Sequence, residues 1–271
     1  MIAGWSIGAD RAALAVTETG AQLSQVRFTL ADGRTVAPMH TAPWADEALP
    51  ADTPPVLRML RGDFFCAPFG DSDVLADETR GHGRPANGTW RVTGQTATAL
   101  DIALDGDVMG AAVTARIDVR PGHSVVYQRH VLTGGAGRLP LGHHAMLRAE
   151  PPLLLGFSPW RWAGTPEAPV EVPPAGRSLL AYPQVISDPR QARRADGGRV
   201  DLTRYPVAEG HEDIWMLVAA ADQPFAWSAG DGVWRGLGVV RAQGPAPAAR
   251  DDAVAERWRA QLCAVAVAAP A

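Results

Sequence analysis

Polar and apolar residues alternate along much of the chain, in short runs that are separated by Gly, Pro and Asp. The run 110–122 places Val, Ala and Ile against Thr, Arg and Asp, and 21–30 has the same period of two before an Asp-Gly turn. The runs 89–106 and 124–135 are also rich in strand-forming residues. Because neighbouring side chains on a strand point to opposite faces, these runs predict strands with one buried face. Residues 212–220 contain a continuous apolar run, which predicts a strand buried on both faces.

Long helical patterns are scarce before residue 250, so the chain is predicted to be all-β, an antiparallel β-sandwich or barrel. All-β chains of this size often form one unit, and we therefore expect a single domain over residues 1–271. Residues 37–88 differ from the rest because Pro and Gly are frequent there, and strands are expected around 57–67. Long irregular segments that are not simply polar are often functional.

Composition and charge argue against several kinds of partner and site. The net charge is −4 and no basic block occurs, which argues against nucleic acid and anionic membranes. The sequence contains no run of about 18 apolar residues, which is the length that a membrane-spanning helix needs, and no signal peptide is recognisable. A cytoplasmic protein is therefore expected. Cys66 and Cys263 are far apart, and the histidine spacings match no zinc motif. Phosphate-binding glycine motifs are absent too. We expect no metal, no cofactor, and a monomer or homodimer.

Three histidines lie in contexts that suit chemistry. His82 precedes a Gly and a turn, and the adjacent His143 and His144 begin an apolar segment. Since neighbours on a strand face opposite sides, only one of that pair can face a given cleft. For each of them, a hydrogen-bonded structural histidine is the alternative. Trp160, within "SPWRW" (158–162), is the best aromatic candidate for the rim of a cleft, although tryptophans also fill β-sandwich cores.

Arg61 opens the stretch "RGDFFCAPFG" (61–70), whose first three letters spell a cell-adhesion tripeptide. The aromatic run that follows predicts a buried strand, which cannot present that tripeptide to a partner. Two explanations for Arg61 are open at this point. Its side chain either lines a cleft or forms an ion pair with a carboxylate such as Asp63 or Glu150.

Three of these segments together resemble the aldose 1-epimerase (galactose mutarotase-like) superfamily. "RGDFFCAPFG" is similar to its Arg-Gly-Gly-Ile-Pro…Pro-x-Phe-Gly segment, and "HGRPANGTW" (82–90) to its His-Gly-Phe-Ala-Arg-Asn…Trp segment. "GHHAMLR" (142–148) resembles its Asn-His-x-Tyr-Phe strand, which aligns His144 with the family histidine. The resemblance covers roughly residues 20–230 and is closest to uncharacterised epimerase-like members. It implies an antiparallel β-supersandwich with a sugar site on one concave sheet face.

The resemblance also implies an activity, the interconversion of the anomers of a free aldose by acid/base opening of the sugar ring. His144 would be the general acid, and His82 would be a second catalytic residue that donates hydrogen bonds. A carboxylate would serve as the base. Four residues would bind the sugar: Arg61, Asn87, Asp213 and Trp160. The partner is then a small-molecule sugar, and no cofactor takes part.

The chain departs from the family pattern at two places. Ala86 stands where the sugar-phosphate branch has an Arg, which counts against a phosphorylated substrate. The family's base is a Glu on a late strand, whereas Glu256 is the only Glu after residue 230. Glu212 and Asp213 are candidates to replace it. A carbohydrate-binding protein that has lost the base is therefore the alternative, and a β-sandwich with no role in sugar chemistry is a third.

Residues 236–271 form an atypical, alanine-rich tail. Val254, Trp258 and Leu262 share one helical stripe, which predicts a short C-terminal helix. Either a divergent natural tail or a shifted reading frame in a GC-rich gene explains the change. A strand-rich continuation with a Glu in another frame would support the shifted frame.

Overall fold

The computed structural model divides the chain into two compact units. It describes residues 3–70, 81–137, 139–148, 153–169, 172–174, 176–208, 211–222, 226–231, 237–243 and 261–267. The first unit is Met1–Arg148 with Arg241–Ala269, and the second is Ala149–Val240 with Pro270–Ala271. The expectation of a single domain stays a prediction.

Short antiparallel strands make up most of the first unit: β1 (Gly4–Gly8), β2 (Ala12–Thr17), β3 (Leu23–Thr29), β4 (Thr35–Val36), β5 (Phe65–Cys66), β6 (Trp90–Gln95), β7 (Ala99–Val108), β8 (Ala111–Val119), β9 (Val125–Gly134) and β10 (Gly142–His143). In the described residues of this unit, two helices of one turn accompany them: α1 (Pro55–Arg58) and α2 (Gly83–Asn87). The strands β1 to β4 form a four-stranded sheet in sequence order, and β6 to β9 pair in sequence order in a second sheet. β5 and β10 form a separate pair, which carries the candidate site.

The core of this unit follows the alternation of the strands. In β8, the buried residues occupy every second position: Ala111, Val113, Ala115, Ile117 and Val119. The residues between them are exposed or half-buried, since successive side chains leave opposite faces of the sheet. On β9 the inward positions include two polar residues, Gln128 and His130, and these lie next to the candidate site.

The second unit consists of shorter elements: β11 (Leu153–Phe157), β12 (Trp160–Gly164), a 3-10 turn (Pro189–Gln191), β13 (Ala192–Arg193), β14 (Arg199–Val200), β15 (Arg204–Tyr205), β16 (Met216–Ala219) and β17 (Ala226–Asp231). β11 pairs with β15 and β17, β12 with β16, and β13 with β14, all antiparallel. A cluster of five buried residues forms its core: Ala163, Leu180, Ile186, Ala192 and Leu202. Two strands follow in the tail, β18 (Leu237–Gln243) and β19 (Gln261–Val267).

The predicted all-β, antiparallel fold class is confirmed. β3, β6, β8 and β9 fall within the runs that predicted strands, and β7 extends two residues beyond its run. β3 turns back into β4 after Asp32-Gly33. No helix in the described part of the chain is long and apolar enough to cross a membrane.

Three local predictions were wrong. Of the strands expected around 57–67, β5 forms, but residues 57 and 58 belong to the helix α1, because Pro55 at its first turn has the backbone angle that a helix requires. β16 has exposed or half-buried side chains, because it lies in a two-stranded sheet with β12 and has little cover. Leu262, predicted to be helical, lies in β19, which satisfies its backbone groups by pairing with β9. The other two residues of that stripe lie outside the described residues.

Candidate functional site

Two of the candidate histidines, His82 and His144, lie side by side in the first unit. Their ring centroids are 5.0 Å apart and the rings meet edge to face. Phe64 stacks on His144 at 5.0 Å and presents its edge to His82 at 5.8 Å. Phe69, which is 39% exposed, contacts the same two rings at 5.7 Å and 6.4 Å. Both imidazoles are half-buried. This group of four residues is called the His82–His144 site below.

A tight turn positions His82. Its φ of 65° lies in the left-handed region, and its N–H donates to the carbonyl of Gly70 at 2.8 Å. Gly83 follows at φ +72°, where a Cβ would overlap the carbonyl oxygen of Ala67. Two consecutive residues with positive φ redirect the chain into α2. The "HG" pair therefore places the imidazole at the start of this helix.

Asn87 holds this turn from inside. Its Nδ2 donates to the carbonyls of Gly81 and Gly83, both at 2.9 Å, and its Oδ1 accepts from the N–H of Val56 at 3.1 Å. The side chain is buried. With both amide donors and its oxygen in use, Asn87 fixes the backbone on either side of His82.

Strand pairing positions His144. His143 lies opposite Phe65 in the β5–β10 pair, and the N–H of His144 donates to the carbonyl of Phe64 at 3.0 Å. His143 is fully buried, whereas His144 is half-buried beside His82. The two neighbours thus leave opposite sides of the pair, as the geometry of a strand requires. Gly142 lacks a Cβ, which would otherwise collide with the Phe69 ring.

A buried polar cluster lies on the other side of the β5–β10 pair. The Oδ2 of Asp63 accepts from Nε2 of Gln128 at 2.6 Å and is 2.9 Å from Nδ1 of His143. Phe65 stacks on His130, with centroids 4.2 Å apart. Burial and the nearby His143 lower the pKa of His130 well below its ordinary value. His130 is therefore a neutral core residue.

Arg61 is 8% exposed, and the loop before it holds its guanidinium. Its Nε donates to the carbonyl of Met59 at 2.8 Å and its Nη2 to that of Ala45 at 3.5 Å. The acidic group beside it is Asp46, at 3.9 Å, while Asp63 belongs to the polar cluster. Burial lowers the pKa of the Arg61 guanidinium.

All of 61–63 is buried, which excludes an exposed adhesion tripeptide. Glu150, the other carboxylate considered as a partner of Arg61, lies outside the described residues.

Asp213 and Trp160 lie in the second unit. The Asp213 carboxylate accepts from the N–H groups of Leu179 and Leu180 at 3.0 Å and 3.1 Å and from the hydroxyl of Tyr182 at 3.2 Å. Trp160 packs against the buried cluster of that unit. Asp213 also borders a cavity of about 400 Å³ with largely aliphatic walls. Among the predicted site residues, the structure therefore brings His82 and His144 together within one unit.

The sequence patterns did not assign the aromatic walls or the Asp63–His143 contact. Alternation along 61–66 was the available signal, because it sets Phe64 and Cys66 on one side and Asp63 and Phe65 on the other. Within the described chain, no group of three or more His, Cys, Asp or Glu residues is placed to hold a metal ion.

No family model matches the sequence, and no curated protein matches it either. Solved structures do match. A galactose mutarotase related enzyme from Lactobacillus acidophilus aligns with 97% of this chain and 84% of its own, at 9% identity and a TM-score of 0.53. A GalM/aldose epimerase homologue from C. elegans aligns over 97% of this chain and 89% of its own length, at 10% identity and a TM-score of 0.51. The chain has the galactose mutarotase-like fold. At these identities the likeness concerns the fold alone, and the fold that the sequence resemblance implied is confirmed.

Proposed function

We propose that the chain binds a free aldose at the His82–His144 site and exchanges its anomers, which is the activity of an aldose 1-epimerase. One observation carries the proposal. Two half-buried imidazoles from distant segments lie 5.0 Å apart between two phenyl rings. The exposed ring of Phe69 suits the apolar face of a sugar, whereas the buried ring of Phe64 supports His144 from behind. Imidazoles suit proton transfer near neutral pH.

Anomer exchange needs one proton donated and one removed. In the proposed reaction, protonated His144 gives a proton to the ring oxygen while a base removes the proton of the anomeric hydroxyl, and the C1–O5 bond breaks to give the open aldehyde. A neutral His82 has one acceptor nitrogen and can serve as that base. After rotation about C1–C2, the reverse transfers close the ring on the other face and return both protons.

A protein that binds sugar without catalysis is the second candidate. It is favoured because the chain lacks the family's late Glu, and the carboxylate of Asp213, a candidate to replace that base, already accepts hydrogen bonds from backbone N–H groups. The Arg61 guanidinium is bonded to backbone carbonyls, and the Asp213 carboxylate accepts backbone N–H groups. Because both groups already make these hydrogen bonds, the two histidines would have to exchange the anomers without them.

NMR of the anomer exchange of galactose, glucose and other aldoses tests the proposal. The protein should accelerate the exchange, and His144→Ala and His82→Ala should each lower the rate by about 100-fold or more, the usual range for a general acid or base. The control is His123→Ala, at an exposed turn before β9, which should retain the wild-type rate.

The other outcomes decide between the alternatives. Sugar resonances that broaden with wild-type protein but not with His144→Ala, in the absence of faster exchange, would establish binding without catalysis. Neither acceleration nor binding for any aldose would refute both candidates and leave a fold without a sugar function.

A further inference from the structure

Residues 142–144 read Gly-His-His, so the register of this segment decides which histidine lies beside His82. The side-chain period of a strand is two, and a slip of one residue would turn His143 toward His82 and His144 into the core. Hydropathy does not distinguish two identical neighbours. A specific contact on one side of the strand has to do so.

Asp63 provides that contact. Its carboxylate is 2.9 Å from Nδ1 of His143, and both side chains are 0% exposed. The same oxygen accepts from Gln128 at 2.6 Å, which ties Asp63 to the inward face of β9. A buried carboxylate that loses a donor is strongly unfavourable, so any arrangement that removes the His143 ring from this place is disfavoured.

The consequence reaches the opposite side of the strand pair. Asp63 and Phe64 are consecutive and leave opposite sides, as do His143 and His144. Joining Asp63 to His143 in the core therefore sets His144 against Phe64, where the two rings stack within 6° of parallel. That stacking fixes the ring of His144 next to His82.

We propose that Asp63 and His143 are positioning residues of the His82–His144 site, and that their buried hydrogen bond selects His144 as the histidine presented there. The proposal rests on the proposed function for its kinetic consequence, because a misplaced acid lowers the rate of proton transfer. Its structural consequence is the contact of the His144 ring with the rings of Phe64 and His82, which holds whether or not the site is catalytic.

Asp63→Asn is the first test, because it keeps the shape of the side chain but removes the negative charge that strengthens both hydrogen bonds and puts an N–H₂ donor in place of one carboxylate oxygen. We expect kcat for anomer exchange to fall by about 10- to 100-fold with KM changed by less than about threefold. Nuclear Overhauser effects between the ring protons of His144 and those of Phe64 and His82 should weaken or vanish. The matched control, Val16→Ala in the buried face of β2, should retain both the ring contacts and kcat.

A pair of substitutions at His143 separates positioning from general stability. His143→Asn keeps an N–H donor toward Asp63 and should retain the ring contacts of His144. His143→Leu removes the donor and should lose them. Equal effects of the two substitutions, or unchanged ring contacts in Asp63→Asn, would overturn the proposal.

If wild-type protein exchanges no anomers, the proposed function fails, while the ring contacts in the variants still decide the positioning role. If Asp63→Asn does not fold, the wild type decides. It should show a slowly exchanging Nδ1–H on His143 with an Overhauser effect to the side-chain amide of Gln128. A missing or rapidly exchanging signal would refute the hydrogen bond itself.

Discussion

Among the histidines, His130 shows what burial does to a titratable side chain. It is 2% exposed, stacks on Phe65 and meets Trp90 edge to face. Among the described residues, its Nδ1 has no hydrogen-bond partner. Burial is the main reason that its pKa falls well below the ordinary 6.5, with a smaller contribution from His143. Below about pH 6.5 the imidazole of His130 therefore binds a proton in the unfolded chain but not in the folded one.

The free energy of unfolding should consequently fall as the pH drops below about 6.5, by up to about 1.4 kcal/mol per pH unit from His130 alone. His130→Leu should make this slope shallower by that amount, as measured by urea denaturation between about pH 6.5 and pH 5. Leu132→Ala, on the same inward face of β9, should lower stability without changing the slope. An unchanged slope in His130→Leu would contradict the assignment of a neutral, buried imidazole.

Among the elements, the segment that leads into β5 depends on Gly62. Its φ is +59°, and a Cβ there would overlap the carbonyl oxygen of Leu23. The N–H of Leu23 in turn donates to the carbonyl of Asp63 at 2.8 Å, so the segment runs against β3 at very close range. This approach places Asp63 and Phe64 on their opposite sides of the site.

Gly62→Ala should therefore cost both backbone strain and a collision, about 3 kcal/mol or more of unfolding free energy in urea denaturation. Gly33→Ala is the matched control, because Gly33 has a similar φ of +84° but nothing within 4 Å of its Cβ position. It should cost only about 1 kcal/mol. Equal costs at the two glycines would show that the close approach to Leu23 does not exist in solution.

At the scale of the whole molecule, the expectation of one domain can be tested through cooperativity. A single domain should unfold in one transition, with coincident curves from tryptophan fluorescence and far-UV circular dichroism. Ile117→Ala in the first unit and Leu180→Ala in the second should each destabilise that same transition by about 2–5 kcal/mol. Two transitions, each moved by the substitution in its own unit, would instead show two independently folding units.

The strands from β6 to β9 could be predicted from the sequence because each pairs with its neighbour in the chain, and alternation and turn residues are local signals. α1 and β19 could not. A proline-led turn inside an irregular segment gives little periodicity, and β19 owes its conformation to pairing with β9, which precedes it by more than a hundred residues.

The same distinction between local signals and long-range contacts applies to the candidate site. By itself, the sequence determined that His143 and His144 face opposite ways, because the period of a strand is a property of the backbone. Only the tertiary structure decided that His144 meets His82 while His143 enters the core. The carboxylate that distinguishes them, Asp63, lies 80 positions away along the chain. Hydrogen bonds and ring stacking between such distant segments leave no mark on local periodicity, so they become visible only when the chain is folded.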